Sequence, residues 1–241
     1  MKNFYEQDFT VTSSMCDFSD NIRFDAILNI FQDITTEHSA IMGTDHEKMY
    51  KYSNAFWVLS KTKFTIEKET KVSSLVKGKT WPLKHGSIRF LRECEISGEN
   101  QMIRGLSEWC ILDATNLSIR KIDSVIYPQD FNYLDASPYA TGFLRLNEQV
   151  CEEDYVYTYK TTFTDIDANN HVNNVSYSRM ALNAFTPQEW KEQNFKHFEI
   201  NFISQTYFGY EIKIYKKQTE TGVYVEGKHN DKTVFKCIFT K

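Results

Sequence analysis

The first half of the chain combines one apolar helical face with strand-like segments. Four large apolar residues recur at the i, i+3, i+4, i+7 spacing of an amphipathic helix: Phe24, Ile27, Leu28 and Phe31. Gly43 lies where such a helix would end, because glycine readily adopts a left-handed backbone conformation. Segments rich in β-branched and aromatic residues then predict strands at 55–66, 78–81, 87–96 and 102–112.

The second half repeats this order of elements. Residues 155–161 alternate as a strand, and the polar stretch Asp165–Asn174 follows them. A second apolar helical face comes next, formed by Tyr177, Met180, Ala181, Ala184 and Phe185. Further strands are predicted at 198–202, 211–216, 223–228 and 233–240. The repeat concerns the order of elements and not residue identity.

This duplication predicts two similar α+β domains, each with a single helix against a curved antiparallel sheet. We place the first domain at residues 1–130 and the second at 151–241. Residues 131–150 have no clear periodicity and are interpreted as a linker.

Composition excludes several classes of protein. Nine glycines in 241 residues leave little room for a glycine-rich phosphate loop, and five widely spaced cysteines without a CxxC pair indicate neither a disulfide framework nor a zinc site. A net charge of −4 argues against a general nucleic-acid binder. The chain has no secretory h-region and no apolar run near the ~18 residues of a membrane helix. We therefore expect a cytoplasmic protein without a membrane span.

The polar stretch before the second helix carries the most chemistry. If it is locally extended, Asp167, Asn169 and His171 share one side, because side chains alternate along an extended chain. Histidine exchanges a proton near neutral pH, and a carboxylate or an amide can orient it or hold a reacting carbonyl. A polar loop with a capping asparagine and a solvated histidine explains the composition equally well. The equivalent stretch of the first half, 14–21, contains no histidine, so we expect one site per chain.

The sequence DIDANNHVNN at 165–174, directly before a helix, resembles the signature of acyl-ACP thioesterases. Three further segments agree with that family: WVLSK at 57–61, TWP at 80–82 and SEWCILD at 107–113. The resemblance spans nearly the whole chain. It implies two hotdog folds in tandem and hydrolysis of a fatty acyl thioester, with water as the acceptor and no metal or organic cofactor. It also implies catalytic roles for Asp167, Asn169 and His171.

One position departs from the family pattern. Members of the family usually carry a glutamate on the first strand after the second helix, and the matching residue here is Gln205. A glutamate could act as a base or as a charge partner for the imidazolium, whereas glutamine can only form hydrogen bonds. We count Gln205 among the candidate catalytic residues in a positioning role.

The resemblance also suggests where substrate and carrier bind. The acyl tail is expected to lie between the first helix and its sheet, under Phe24, Ile27, Leu28 and Phe31. Residues 61–92 contain nine Lys or Arg against two Glu, a local charge of +7. Solvated strand faces explain this stretch, but it also suits an acidic acyl carrier protein docking on Lys77, Lys79 and Lys84.

Two rival functions share this fold. The first is an acyl-CoA thioesterase, for which the basic stretch would bind nucleotide phosphates. The second is a non-catalytic acyl-binding hotdog protein. The presence of Gln205 at the position of the family glutamate leaves this alternative open. Acyl chain length and the choice between monomer and homodimer do not follow from the sequence.

Overall fold

The computed structural model describes residues 2–128 and 131–241. The chain divides into two compact units, Met1–Thr62 with Ile66–Gly142 and Lys63–Thr65 with Phe143–Lys241. This division falls inside the segment expected to be a linker. The domain boundary expected at residue 130 lies outside the described residues.

The first unit is an antiparallel sheet with strand order β1-β3-β4-β5-β2 and two helices. Its elements are β1 (Tyr5–Thr10), α1 (Phe24–Met42), α2 (His46–Ser53), β2 (Ala55–Lys68), β3 (Leu75–Pro82), β4 (Phe90–Ser97) and β5 (Met102–Asp113). The three β2 residues Lys63–Thr65 are grouped with the second unit.

Helix α1 confirms the first periodic pattern. All four residues of the expected apolar face are buried, and the helix ends at Gly43, whose φ of 72° is left-handed. The helix packs on β1 and β3. The two elements are in close contact at Gly78 of β3, where an added Cβ would lie 3.2 Å from Ile30 and 3.4 Å from Ile34. The apolar layer between α1 and the sheet therefore forms the core of this unit.

The expectation of a single helix in each half is wrong. In the first unit, α2 follows α1 after a short break. The Asp45 side chain caps α2 by accepting the Lys48 N–H at 3.0 Å, and Asn54 ends it at a φ of 47°. Only Met49 of this helix is buried. One buried residue in eight produces no apolar periodicity, so only the capping residues could have predicted it.

The second unit has strand order β7-β10-β9-β8-β6 and again two helices. Its elements are β6 (Tyr155–Lys160), α3 (Asn174–Leu182), α4 (Pro187–Gln193), β7 (His197–Phe202), β8 (Glu211–Gln218), β9 (Val223–His229) and β10 (Lys232–Thr240). Helix and sheet in each unit give the expected α+β class.

Helix α3 is shorter than its apolar pattern predicted. Ala184 and Phe185 lie beyond its end, and α4 begins at Pro187 behind a capping box of Thr186 and Glu189. Proline favours a first helical turn because its missing N–H would have no partner there. Phe185 packs edge-to-face on Phe239, at 5.1 Å between ring centroids. The apolar spacing therefore continued across a helix break, because both segments contribute to one aromatic core.

The connection between β5 and β6 contains no helix longer than a single 3-10 turn among its described residues. Within the first unit, the Ser137 N–H donates to Glu93 Oε1 at 2.8 Å. Within the second, the Leu144 N–H donates to Glu199 Oε1, also at 2.8 Å. Both carboxylates are buried, so each holds part of the connection against its own sheet.

Candidate active site

The polar stretch before α3 is a tight turn and not an extended segment. Ile166 and Val172 form an antiparallel bridge, and between them the Asp167 N–H donates to the His171 carbonyl at 2.9 Å. Asn170 has a left-handed φ of 62°. The expectation that the candidate residues alternate along an extended chain is therefore wrong. A reversal stabilised by backbone hydrogen bonds brings Asp167 and His171 to its two ends instead.

The Asp167 carboxylate holds this turn from inside. Its Oδ1 accepts the Asn169 N–H at 2.8 Å and lies 3.5 Å from the His171 nitrogen. This is an Asx turn, in which an aspartate side chain satisfies the backbone two residues ahead. Asp167 is half-buried, whereas Asn169 is exposed.

The same turn occurs 150 residues earlier in the first unit. Asp17 Oδ1 accepts the Ser19 N–H at 2.8 Å and the Asn21 N–H at 3.2 Å. The Asp17 N–H donates to the Asn21 carbonyl at 2.8 Å, and Asp20 is left-handed with a φ of 60°. The duplication therefore extends to an individual aspartate. Asn21 occupies the first-unit position that corresponds to His171.

His171 is half-buried, and its ring packs on Tyr207 at 5.2 Å between centroids with a tilt of 56°. Within residues 2–128 and 131–241, neither ring nitrogen of His171 has a hydrogen-bond partner. Both nitrogens are thus available to exchange a proton with a bound molecule.

The turn is anchored by Asp165, a residue outside the set of candidates predicted from the sequence. Its buried carboxylate accepts the Thr162 N–H at 2.7 Å and the Tyr159 hydroxyl at 3.0 Å. Burial and the neighbouring Asp165 raise the pKa of Tyr159, so its hydroxyl keeps the proton that it donates. Thr162 and Asp165 form a capping box, and their Thr-x-x-Asp spacing is the sequence signal that could have identified Asp165. The Asn173 side chain then caps α3 by accepting the Val175 N–H at 2.8 Å.

Gln205 does not lie on a strand as expected, because β7 ends at Phe202 and Gln205 follows in the next loop. Its side chain is exposed. Its neighbour Thr206 is buried and accepts the Val172 N–H through its carbonyl at 2.9 Å. The loop backbone is therefore joined to the turn. The catalytic assignment of Gln205 stays a prediction.

The basic stretch 61–92 is not a continuous basic surface. Lys63 and Arg92 are buried. Lys77 Nζ lies 3.2 Å from Asp8 and 3.7 Å from Glu6, so acidic residues of β1 already neutralise it. These positions show how sequence charge overstates surface charge, because a linear count ignores both burial and pairing.

The other two candidate docking residues differ from each other. Lys79 Nζ lies over the Phe4 ring at 4.5 Å and the Trp81 ring at 5.4 Å, whereas Lys84 is exposed. The docking role of the three lysines stays a prediction, as does the acyl-binding role of the α1 face. Among the residues described, no three His, Cys, Asp or Glu side chains are grouped so as to hold a metal ion.

Comparison with known families identifies both halves of the chain. The model of the acyl-ACP thioesterase N-terminal domain matches residues 2–128, and that of the acyl-ACP thioesterase C-terminal domain matches residues 148–237. A palmitoyl-acyl carrier protein thioesterase of Cuphea hookeriana chloroplasts is 24% identical over 202 residues, which cover 78% of this chain and 48% of that protein. The chain thus spans about half the length of the curated relatives it matches.

Solved structures agree in fold. An acyl-ACP thioesterase from Bacteroides thetaiotaomicron superimposes with a TM-score of 0.88 at 18% identity, covering 99% of this chain and 97% of that one. A 12:0-ACP thioesterase from Umbellularia californica gives 0.83 at 13% identity, covering 100% and 97%. The expected class, two hotdog domains in tandem, is confirmed. No helix in the described part of the chain is long and apolar enough to cross a membrane. With family models matching both halves, the chain belongs to the acyl-ACP thioesterase family.

Proposed function

We propose that this protein hydrolyses the thioester of fatty acyl-acyl carrier protein and releases the free fatty acid. The observation that carries the proposal is His171, held on a fixed turn with both ring nitrogens free of hydrogen bonds to the described residues. Family membership supports the reaction type. The cytoplasmic location expected from the sequence belongs to the same proposal.

The proposed chemistry is general base catalysis with water as the nucleophile. His171 removes a proton as the water oxygen attacks the thioester carbonyl carbon. The carbon–sulfur bond then breaks, and His171 returns the proton to the departing sulfur. The products are a carboxylic acid and the carrier thiol, so atoms and protons balance.

The neighbouring residues have supporting roles in this proposal. Asp167 holds the turn that carries His171, because its Oδ1 accepts the Asn169 N–H at 2.8 Å. The positive end of the α3 dipole lies next to the turn and favours negative charge there, and the Asn169 side-chain amide can donate a hydrogen bond to the developing oxyanion. Gln205 positions the substrate or the turn and does not accept a proton, because an amide has no basic lone pair at neutral pH.

The proposal is tested by measuring free fatty acid release from a panel of acyl-ACPs, with the matching acyl-CoAs in parallel. We expect turnover with acyl-ACP and a lower kcat/KM with acyl-CoA. A higher kcat/KM with acyl-CoA would mean that the preferred substrate carries its acyl chain on coenzyme A and not on acyl carrier protein. Binding of acyl-ACP without release of fatty acid would indicate a non-catalytic acyl-binding protein.

A further inference from the structure

The loop after β7 places an aromatic ring against the candidate catalytic histidine. The loop contributes the Tyr207 ring, 5.2 Å from the His171 ring between centroids. Aromatic rings at such distances attract one another through their quadrupoles and through dispersion. Asp167, the nearest carboxylate along the chain, uses its Oδ1 to hold backbone N–H groups. The described structure therefore offers the Tyr207 ring as the restraint on the imidazole.

The backbone on both sides of this ring is fixed. On one side, buried Thr206 accepts the Val172 N–H and exchanges hydrogen bonds with the Tyr177 hydroxyl, at 2.9 and 3.1 Å. On the other side, the Tyr207 carbonyl accepts the Thr161 hydroxyl at 2.6 Å. These contacts join the loop to α3 and to the residue that follows β6. Tyr207 is thus a side chain on a rigid support, although 42% of it is exposed.

The Tyr207 ring also contacts a second aromatic ring. Tyr210 packs on Tyr207 at 5.5 Å, and His229 of β9 stacks on Tyr210 at 4.1 Å with a tilt of 16°. The His229 Nδ1 lies 2.8 Å from the Glu211 carbonyl. A row of four rings therefore connects the sheet to His171.

We propose that Tyr207 is a positioning residue that orients the His171 imidazole for proton transfer. Many catalytic histidines are oriented by a hydrogen bond to one ring nitrogen. Here the restraint is a tilted ring contact, and it leaves both nitrogens free for water and the leaving sulfur. This inference rests on the proposed hydrolysis for its kinetic consequence, but the restraint itself is a property of the free protein.

The kinetic test compares Tyr207→Ala, Tyr207→Phe and Phe208→Ala in the full chain. Phe208 is the matched control, because it is an exposed aromatic of the same loop without a ring contact to His171 among the described residues. Removing the Tyr207 ring should lower kcat by about tenfold and leave KM within about twofold, because misplacing a catalytic group slows the chemical step. Tyr207→Phe keeps the ring and should retain kcat within about twofold, and Phe208→Ala should do the same.

Three results would overturn the inference: a wild-type kcat in Tyr207→Ala, an equal loss in Tyr207→Phe, or a raised KM with unchanged kcat. If Tyr207→Ala does not fold, Tyr207→Leu takes its place, since leucine retains apolar volume without an aromatic face. The second readout needs no substrate. In ¹H–¹³C spectra the ε1 proton of His171 should change its shift in Tyr207→Ala and not in Phe208→Ala, through loss of the ring current. An unchanged shift would contradict the contact even if the protein hydrolyses thioesters.

Discussion

Asp17 and Asp167 make the same contacts in two turns with different chemistry. Each aspartate accepts the N–H two residues ahead at 2.8 Å, and each turn contains a left-handed residue three positions after the aspartate. Only the second turn carries a histidine. The carboxylate therefore makes the same contacts whether or not the turn carries a histidine, and under the proposed function catalysis has been added to a shared structural device.

Replacing either aspartate by alanine should lower the free energy of unfolding by roughly 1 kcal/mol, the usual effect of losing a side-chain acceptor for backbone N–H groups. Asp17→Asn and Asp167→Asn keep an acceptor oxygen and should stay close to the wild-type stability. Urea denaturation of the four variants measures this. A wild-type stability of either alanine variant would show that its turn does not depend on the carboxylate.

Gln205→Glu adds one charge to an exposed loop residue next to the turn. Because solvent screens an exposed carboxylate, we expect turnover on acyl-ACP to stay within about threefold of wild type. The comparison is made at saturating substrate, so that effects on docking do not contribute. A rise of about tenfold or more, worth roughly 1.4 kcal/mol of barrier, would show that the reaction lacks the carboxylate base usual in the family.

Apolar periodicity predicted the elements that bury a continuous apolar face. It failed where capping residues or turn geometry determine the local structure. Helix α1 and its end at Gly43 followed directly from the sequence. Helix α2 did not, because it has a capping aspartate at Asp45 but only one buried apolar residue, Met49. The turn at Asp167 was mistaken for an extended segment, because residue alternation does not reveal the left-handed Asn170. Tyr207 could not be predicted, since its contact joins two distant parts of the chain.

Two lysines, one on strand β3 and one just after it, differ in whether they form ion pairs. Lys84 is exposed and has no ion pair among the residues described, whereas Lys77 is paired with Asp8 and Glu6. If the surface around Lys84 docks an acidic carrier protein, Lys84→Glu should raise the KM for acyl-ACP by about threefold at low salt and leave kcat unchanged. Lys77→Glu should instead lower stability, because it places a third carboxylate beside two others.

Steady-state kinetics at two salt concentrations measure the carrier effect. Lys213→Glu, at an exposed position on β8 of the second unit, is the matched control and should leave KM unchanged. An equal rise in KM for Lys213→Glu would mean that the net charge of the protein, and not the surface around Lys84, determines the KM for acyl-ACP. An unchanged KM for Lys84→Glu would remove Lys84 from the docking surface.

The buried His38 and the half-buried His197 make the stability of the whole molecule depend on pH. Burial and the Arg92 guanidinium lower the pKa of His38 to about 4, and Arg92 Nη1 lies 3.0 Å from its Nδ1. Burial and the Lys63 ammonium lower the pKa of His197 to about 4 as well. Between that value and the ordinary histidine pKa near 6.5, the unfolded chain binds protons that the folded chain does not.

Stability should therefore fall as the pH drops from 6.5 towards 4, by roughly 1 kcal/mol per pH unit for each of the two histidines. Urea unfolding at several pH values between 6.5 and 5 measures the slope, above the range in which most carboxylates titrate. His197→Gln should reduce this slope by about half, since it removes one of the two groups. A flat stability across this range would contradict the neutral state of both histidines in the folded protein.

The duplicated turn provides the most direct test of the catalytic account. His171→Ala and Asn21→Ala change corresponding positions of the two turns, and both residues are half-buried. We expect His171→Ala to lower kcat on acyl-ACP by about 10²–10⁴, the usual contribution of a general acid–base group, and Asn21→Ala to stay within a few-fold of wild type. Release of carrier thiol from one acyl-ACP substrate, with folding checked by circular dichroism, measures both. A kcat of His171→Ala within a few-fold of wild type would contradict the assignment of His171 as the catalytic base.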